Sequence, residues 1–268
     1  MAAAGASSLA RIPIRVAVAG YRGKVGVEIV RGVEAAPDLE FVGGVEVGDD
    51  LGAFLASGRP DALVDFTHPS AALGNALAAV AAGCRPVVGT TGIPVDGVQQ
   101  LEDACRAAGI GGIVAPNFSV GAVVMIHIAE IAAPYFTAAD VIEMHHQTKA
   151  DAPSGTALAT ARRLGARQKF QYAQTEKLTL AGVRGGEEAG VGVHSVRLPG
   201  LVADQEILFG LAGQTLTITH RTTSREAFVP GVLLAIRRVM VEPKFYRALD
   251  ELLGLKVSPP TQVGGGGG

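Results

Sequence analysis

The order of apolar runs along this chain predicts an α/β protein: an open, doubly wound parallel sheet first, then a smaller α+β part with a mixed or antiparallel sheet. Three observations carry that expectation. From residue 15 to residue 119, short runs of β-branched and small residues alternate strictly with helical patterns, which gives parallel strands joined by right-handed crossovers. Between residues 178 and 220 the alternation stops, and strand-like segments follow one another with no helix between them. A glycine-rich turn, residues 20–26, joins the first strand to the first helix.

Residues 15–19, Arg-Val-Ala-Val-Ala, read as a strand buried on both faces. They run into Gly20, Tyr21, Arg22, Gly23, Lys24, Val25 and Gly26, after which Val25, Ile29, Val30 and Val33 recur at helical spacing as far as Pro37. Strand, glycine turn and helix form the context of a Rossmann-like dinucleotide loop. A pyrophosphate can rest on the N–H groups of a helix start only where no side chain intervenes. The spacing is G-x-x-G-x-x-G rather than G-x-G-x-x-G, so a plain tight turn fits the same glycines; Arg22 and Lys24, placed where phosphate charge would sit, favour the loop. A second strand, residues 39–45, ends in Glu46, twenty residues beyond Gly26, the position of an acid that binds the ribose hydroxyls of NAD. A carboxylate there repels the extra phosphate of NADP, while Arg22 and Lys24 remain within reach of it, so NADH and NADPH both stay open.

A strand at 62–66, ending in Phe66, precedes an Ala-rich helix at 70–82. A strand at 86–88 precedes Gly89, Thr90, Thr91 and a helix at 95–107, and a strand at 112–114 leads to Ala115, Pro116, Asn117 and Phe118. In open parallel sheets the ligand lies outside the carboxyl ends of the strands, so the loops at Gly20, Glu46, Phe66, Gly89 and Ala115 are expected on one crevice. The backbone of the 89–92 and 115–118 loops is expected to grip a nicotinamide amide. A helix at 120–132 stops at Pro134, and a strand at 140–144 delivers the densest polar stretch of the chain, residues 143–156. Ser154 there is an N-cap candidate for a following helix, which places Gly155 and Thr156 in a first turn whose free N–H groups bind anions. Strands at 191–197, 204–209 and 216–221 follow, then an apolar helix capped by Ser224 and running to 240, and a last helical turn or two before Leu255. Residues 1–13 read as a flexible extension and residues 256–268 as a disordered tail.

Composition narrows the function. The chain has 268 residues, 48% hydrophobic and 18% charged, which excludes disorder as its main state, and a formal net charge of −2 gives no clustered basic excess for nucleic acid. No apolar run approaches the roughly 18 residues of a membrane helix, and no secretory signal is evident. Cys84 and Cys105 lack metal-ligand spacing and read as reduced, packed thiols, so a cytoplasmic protein is expected.

Within 143–156, His145, His146 and Lys149 offer a proton source and fixed positive charge, and Ser154, Gly155 and Thr156 offer hydroxyls and backbone donors for a carboxylate. A lysine beside a histidine depresses the imidazolium pKa and a bound carboxylate raises it, so substrate binding would arm the acid. Histidines that only hydrogen-bond within a loop fit the same residues. A metal site is not expected, because adjacent residues on an extended segment point to opposite sides and no third ligand stands at helical spacing.

With these segments in view, the sequence resembles the 4-hydroxy-tetrahydrodipicolinate reductases, also called dihydrodipicolinate reductases, of the diaminopimelate route to lysine. The resemblance rests on V-A-G-Y-R-G-K-V-G at 18–26, D-F-T-H-P at 65–69, V-G-T-T-G at 88–92, A-P-N-F-S-V-G at 115–121, H-H-Q-T-K-A-D-A-P-S-G-T-A at 145–157 and V-R-L-P-G-L-V-A-D-Q-E-I-L-F-G at 196–210. The glycine loop and the short segment between Glu46 and Asp65 look most like actinobacterial members. The resemblance implies a homotetramer of two-domain subunits: a dinucleotide domain at 14–118 with 224–255, and a substrate-binding and tetramerisation domain at 119–223. It implies His145 as general acid and Lys149 as the group that binds and polarises a small dicarboxylate substrate. It also implies Ser154, Gly155 and Thr156 as carboxylate ligands with His146 and Thr91 close by, and residues 20–26 with Glu46 on NADH, NADPH or both. Many members carry an arginine after the ribose acid where this chain has Val47, which favours dual use or NADH. The alternatives are a paralogous reductase of another cyclic imine carboxylate and a catalytically silent nucleotide-binding regulator; a regulator would have no need of the intact proton donor.

Overall fold

In the computed structural model, which describes residues 12–257, the elements follow as β1 (Ile14–Ala19), α1 (Gly26–Ala35), β2 (Leu39–Val45), α2 (Leu51–Gly58), β3 (Ala62–Asp65), α3 (Pro69–Ala81), β4 (Arg85–Val88), α4 (Val95–Ala108) and β5 (Gly112–Val114). Then come α5 (Val120–Ala132), β6 (Ala138–His145), α6 (Gly155–Arg167), β7 (Gly186–Glu188), β8 (Val191–Arg197), β9 (Ala203–Leu211) and β10 (Gln214–His220). The last three are α7 (Val229–Val241), β11 (Phe245–Tyr246) and α8 (Leu249–Leu253). The expected extension and tail fall almost wholly on residues 1–11 and 258–268, outside the described residues.

The chain divides into two units. The first reaches Ala115 and takes back Val232–Arg247; the second comprises Pro116–Gly231 and the residues from Ala248 on. The return segment is therefore shared rather than kept whole, as the expected 224–255 had it. Its start is seated in the second unit, where a Cβ on Gly231 would stand 2.1 Å from the Phe118 carbonyl oxygen. Its end is held there by an ion pair of Arg163 with Asp250 at 2.8 Å.

The first unit holds a six-stranded, all-parallel sheet in the order β11-β5-β4-β3-β1-β2. β1 reads as an unbroken apolar run because it lies between two strands under helices: Val16, Ala17, Val18 and Ala19 have no exposed surface. The chain moves outward from β1 to β2 and then returns to β3 on the other side, so the strand order reverses between β1 and β3. In a doubly wound sheet, that reversal opens a crevice at the carboxyl ends of those two strands.

The second unit holds a five-stranded mixed sheet, β10-β9-β6-β8-β7, in which only β6 and β8 run parallel. Along β6 the side chains alternate, and Ala139, Val141 and Glu143 are buried on the face that α6 covers. Leu164 of α6 has no exposed surface and sits in a cluster with Val141, Ala161, Val193, Ile207 and Phe209. Truncating Leu164 to Ala should cost about 2–5 kcal/mol of stability in urea unfolding, the range for a buried leucine; a loss below about 1 kcal/mol would contradict this packing.

The helix expected from Ser224 begins later. Ser224 opens a single 3-10 turn, Arg225–Phe228, by accepting from the Glu226 N–H, and α7 starts at Val229. Pro230 is the reason: it has no N–H to give a carbonyl four residues back, so it fits a first helical turn and not a helix interior.

Candidate active site

In the first unit the glycine turn is pinned by contact. A Cβ at position 26 would stand 2.0 Å from the Gly20 carbonyl oxygen, so the turn closes only with glycine there. α1 begins at Gly26, with Val25 just before it and no side-chain cap; the Val27 N–H donates to the Gly23 carbonyl at 3.0 Å, which ties the first turn to the glycine loop. Glu46 reaches back to the turn, its Oε1 accepting the Arg22 backbone N–H at 2.7 Å. The Arg22 guanidinium lies 5.0 Å over the Tyr21 ring, and Val47, directly after Glu46, is 99% exposed.

Gly23, Lys24, Val25, Phe66 and the 89–91 loop line one cavity of about 400 Å³ in this unit. Gly89 is required beside Phe66, since a Cβ there would lie 2.2 Å from the ring. Asp65, 1% exposed, organises the wall: it accepts from Thr90 Oγ1 at 2.7 Å, Thr67 Oγ1 at 2.8 Å and Asn75 Nδ2 at 2.8 Å. Thr90 Oγ1 in turn accepts the Thr67 N–H at 2.8 Å. The structure thus brings Gly23, Lys24, Val25, Phe66, Gly89, Thr90 and Thr91 onto one wall, with Gly20, Gly26, Tyr21, Arg22 and Glu46 building the turn behind it. The turn is a cradle that a side chain would fill, with N–H donors and two cations, which fits a pyridine dinucleotide. Ala115 is fully buried at the end of β5.

In the second unit His145 ends β6 and shares a cavity of about 160 Å³ with Pro116, Asn117, Ser154, Thr156 and His220. Phe118, which follows Asn117, is 1% exposed. Ser154 caps α6, accepting the Ala157 N–H at 3.1 Å, so Gly155 and Thr156 occupy its first turn. Behind His145 lies Glu143, whose Oε2 is 2.5 Å from His145 Nδ1. Arg197 binds the same carboxylate with both terminal nitrogens, at 2.8 and 2.7 Å. Its Nη2 also donates to the Asp151 carbonyl at 2.7 Å. Burial pushes the His145 pKa below the usual histidine value; Glu143 opposes that shift, and Lys149 and Arg197 add to it.

Lys149 and His146, the other two candidate side chains of the stretch, do not line that cavity. Lys149 pairs with Asp151 Oδ1 at 2.6 Å, and His146 turns to Thr148, Nδ1 to Oγ1 2.9 Å. Sequence reasoning assigned nothing to Glu143, Arg197, His220 or Asp65. Glu143 stands two residues from His145 and therefore on the same face of a strand, a spacing that is visible in the sequence. Arg197 is 54 residues from Glu143, and only the β6–β8 register, which sets it opposite His145, brings it there. Both cysteines are buried, which pushes each thiol up to about 12 and removes the thiolate that redox or metal chemistry needs.

A doubly wound sheet with a dinucleotide cradle, followed by a mixed-sheet unit that carries a histidine beside a helix N-terminus, defines a pyridine-nucleotide-linked oxidoreductase. The model of the N-terminal part of dihydrodipicolinate reductase matches residues 14–118 and that of its C-terminal part matches residues 121–253. The chain belongs to the dihydrodipicolinate reductase family. It is 47% identical over 246 residues to the 4-hydroxy-tetrahydrodipicolinate reductase of Mycolicibacterium vanbaalenii, an alignment covering 91% of this chain and all of the relative. The enzyme of the same name from Moorella thermoacetica is 46% identical over 261 residues, covering 90% of this chain and 98% of that one. A solved structure of dihydrodipicolinate reductase from Paenisporosarcina sp. TG-14, bound to dipicolinate, superposes with a TM-score of 0.81 at 36% identity, covering 90% of this chain and 99% of that one.

Proposed function

We propose that this chain catalyses the NAD(P)H-dependent reduction of 4-hydroxy-2,3,4,5-tetrahydrodipicolinate to 2,3,4,5-tetrahydrodipicolinate, a step of diaminopimelate and lysine biosynthesis, in the cytoplasm. The observation that carries this reading is the convergence of His145, Ser154 and Thr156 on one cavity wall in a chain of this family. Bound nicotinamide supplies the hydride. The chain supplies the rest. His145 holds the transferable proton at Nε2, because its other nitrogen is engaged by Glu143. Ser154, Gly155 and Thr156 offer a carboxylate two hydroxyls and the open end of α6. Lys149 and His146 swing from their present partners to the second half of the dicarboxylate. The nucleotide rests on residues 20–26, Glu46, Phe66, Gly89, Thr90 and Thr91, with Ala115, Pro116, Asn117 and Phe118 at its nicotinamide end.

The assay is loss of reduced-nucleotide absorbance with freshly synthesised substrate. Turnover with the dicarboxylate and none with a monocarboxylate analogue is expected; nucleotide binding without oxidation would overturn the reading. Because an exposed Val47 follows Glu46 where a 2′-phosphate would want a cation, NADH is expected to serve at least as well as NADPH. Separate titrations of the two nucleotides check this, and a preference for NADPH above about tenfold, about 1.4 kcal/mol, would refute it. Gly26→Ala should weaken nucleotide binding by tenfold or more, about 1.4 kcal/mol, in calorimetry, since the turn must open to admit the methyl group. We further propose a homotetramer built through the second unit's sheet, which sedimentation of the purified chain will test.

A further inference from the structure

We propose that Glu143, clamped by Arg197, is the positioning residue that decides which nitrogen of His145 gives up the proton and that ties this donor to the N-terminus of α6. The inference rests on His145 being the proton donor.

Glu143 has no exposed side-chain surface and gathers donors onto both carboxylate oxygens. Its Oε2 faces His145 Nδ1 at 2.5 Å and Arg197 Nη1 at 2.8 Å; its Oε1 accepts Arg197 Nη2 at 2.7 Å and the Ser154 N–H at 3.2 Å. A buried carboxylate stays ionised only if charge and hydrogen bonds replace its water. Burial is the largest influence on Glu143 and would raise its pKa, but the hydrogen bonds from Arg197, Ser195 and His145 together hold it below the usual glutamate value. An ionised carboxylate only accepts, so His145 must present Nδ1–H to it.

The consequence is chemical. In the imidazolium both nitrogens carry hydrogen. Loss of the Nε2 proton leaves the Nδ1–H tautomer that Glu143 already holds, so the donor discharges without a ring flip or a tautomer exchange. The same carboxylate fixes the Ser154 backbone, and Arg197 holds the Asp151 carbonyl within the loop between them. Proton donor and anion-binding helix end are thereby set relative to each other by one ion pair whose carboxylate is fully buried. The charged and titratable groups around His145 are Glu143 on its own strand, Arg197 at the end of β8, Lys149 in the following loop, and Asp204 of β9 and His220 of β10 on the shared cavity. Glu143 is the one that makes a hydrogen bond to the ring.

Two measurements test this. Long-range proton–nitrogen NMR of the full-length wild-type chain with labelled histidine, with His145→Gln used for assignment, reads the neutral tautomer without any substrate. Nδ1–H is expected, and an Nε2–H tautomer overturns the proposal whether or not the assigned reaction is right. In the assay above, Glu143→Gln, whose amide cannot accept from every donor, should lower kcat about tenfold or more with a smaller change in KM. It should also move the loss of activity at rising pH to lower pH, because a neutral amide no longer favours the imidazolium. A Glu143→Gln enzyme with kcat within about twofold of wild type and an unmoved pH limb overturns it, while turnover by the wild type leaves the assigned reaction intact.

Discussion

Replacement of His145 by Gln is expected to lower kcat by about 10²- to 10⁴-fold with little change in KM, the usual scale of a positioned general acid. Glutamine keeps the approximate size and a polar end but carries no transferable proton, so substrate and nucleotide still bind. The pH dependence of the wild type follows from the same group. With His145 as the proposed acid, the protonated form is the one expected to be active, so activity should be present below the His145 pKa and lost as pH rises through it. Burial places that pKa below the usual histidine value in the free enzyme, and the basic limb of kcat/KM should fall accordingly below about pH 6.5. A bound dicarboxylate favours the imidazolium, so the limb in kcat should lie at higher pH than the limb in kcat/KM.

The second large effect is expected at Lys149. Its side chain is 22% exposed and held by an Asp151 carboxylate that is itself 57% exposed. A solvated partner of this kind contributes little to holding the ammonium, so an incoming substrate carboxylate competes well for it. Lys149→Met should lower kcat/KM by about 10²- to 10³-fold, the scale of losing one preorganised charged donor in a site. Because Arg presents a planar fork and not a compact charge, Lys149→Arg should not restore the rate. Steady-state kinetics of the two variants at saturating nucleotide provide the check, and a kcat/KM within about threefold of wild type for Lys149→Met would remove the lysine from the substrate's grip.

The first unit's sheet was readable because each of its longer strands is an apolar run followed by a turn signal and a periodic helix. β1, α1, β2, β3, α3, β4, α4 and β5 were each expected within a few residues of where they stand. α2 was not, since Leu-Gly-Ala-Phe-Leu-Ala-Ser-Gly is short, nearly all apolar or small, and shows no clean helical period; Asp50, which caps it by accepting the Ala53 N–H, was the available signal. β11 is two residues long and has no sequence signal of its own, and the expected last helical turn begins only at Leu249. Such a strand exists because β5 offers it an open edge, which no local pattern encodes.

The site divides in the same way. The candidates at 145–156 are picked out by composition and helix-start chemistry, and Glu46 by its distance from Gly26. The direction of His146, just past a strand end, depends on the loop and is not encoded by a local pattern; here it turns to Thr148. Arg197 and His220 reach His145 through strand register and strand order, long-range properties that one sequence does not display.

The most direct test of the proton-donor assignment is the pH profile of kcat/KM for wild type and His145→Gln, side by side across about pH 5 to 9. The wild type is expected to show a basic limb, and His145→Gln to run at least about 10²-fold lower without it. A variant that keeps both the limb and the rate would contradict the assignment of His145 as the proton donor.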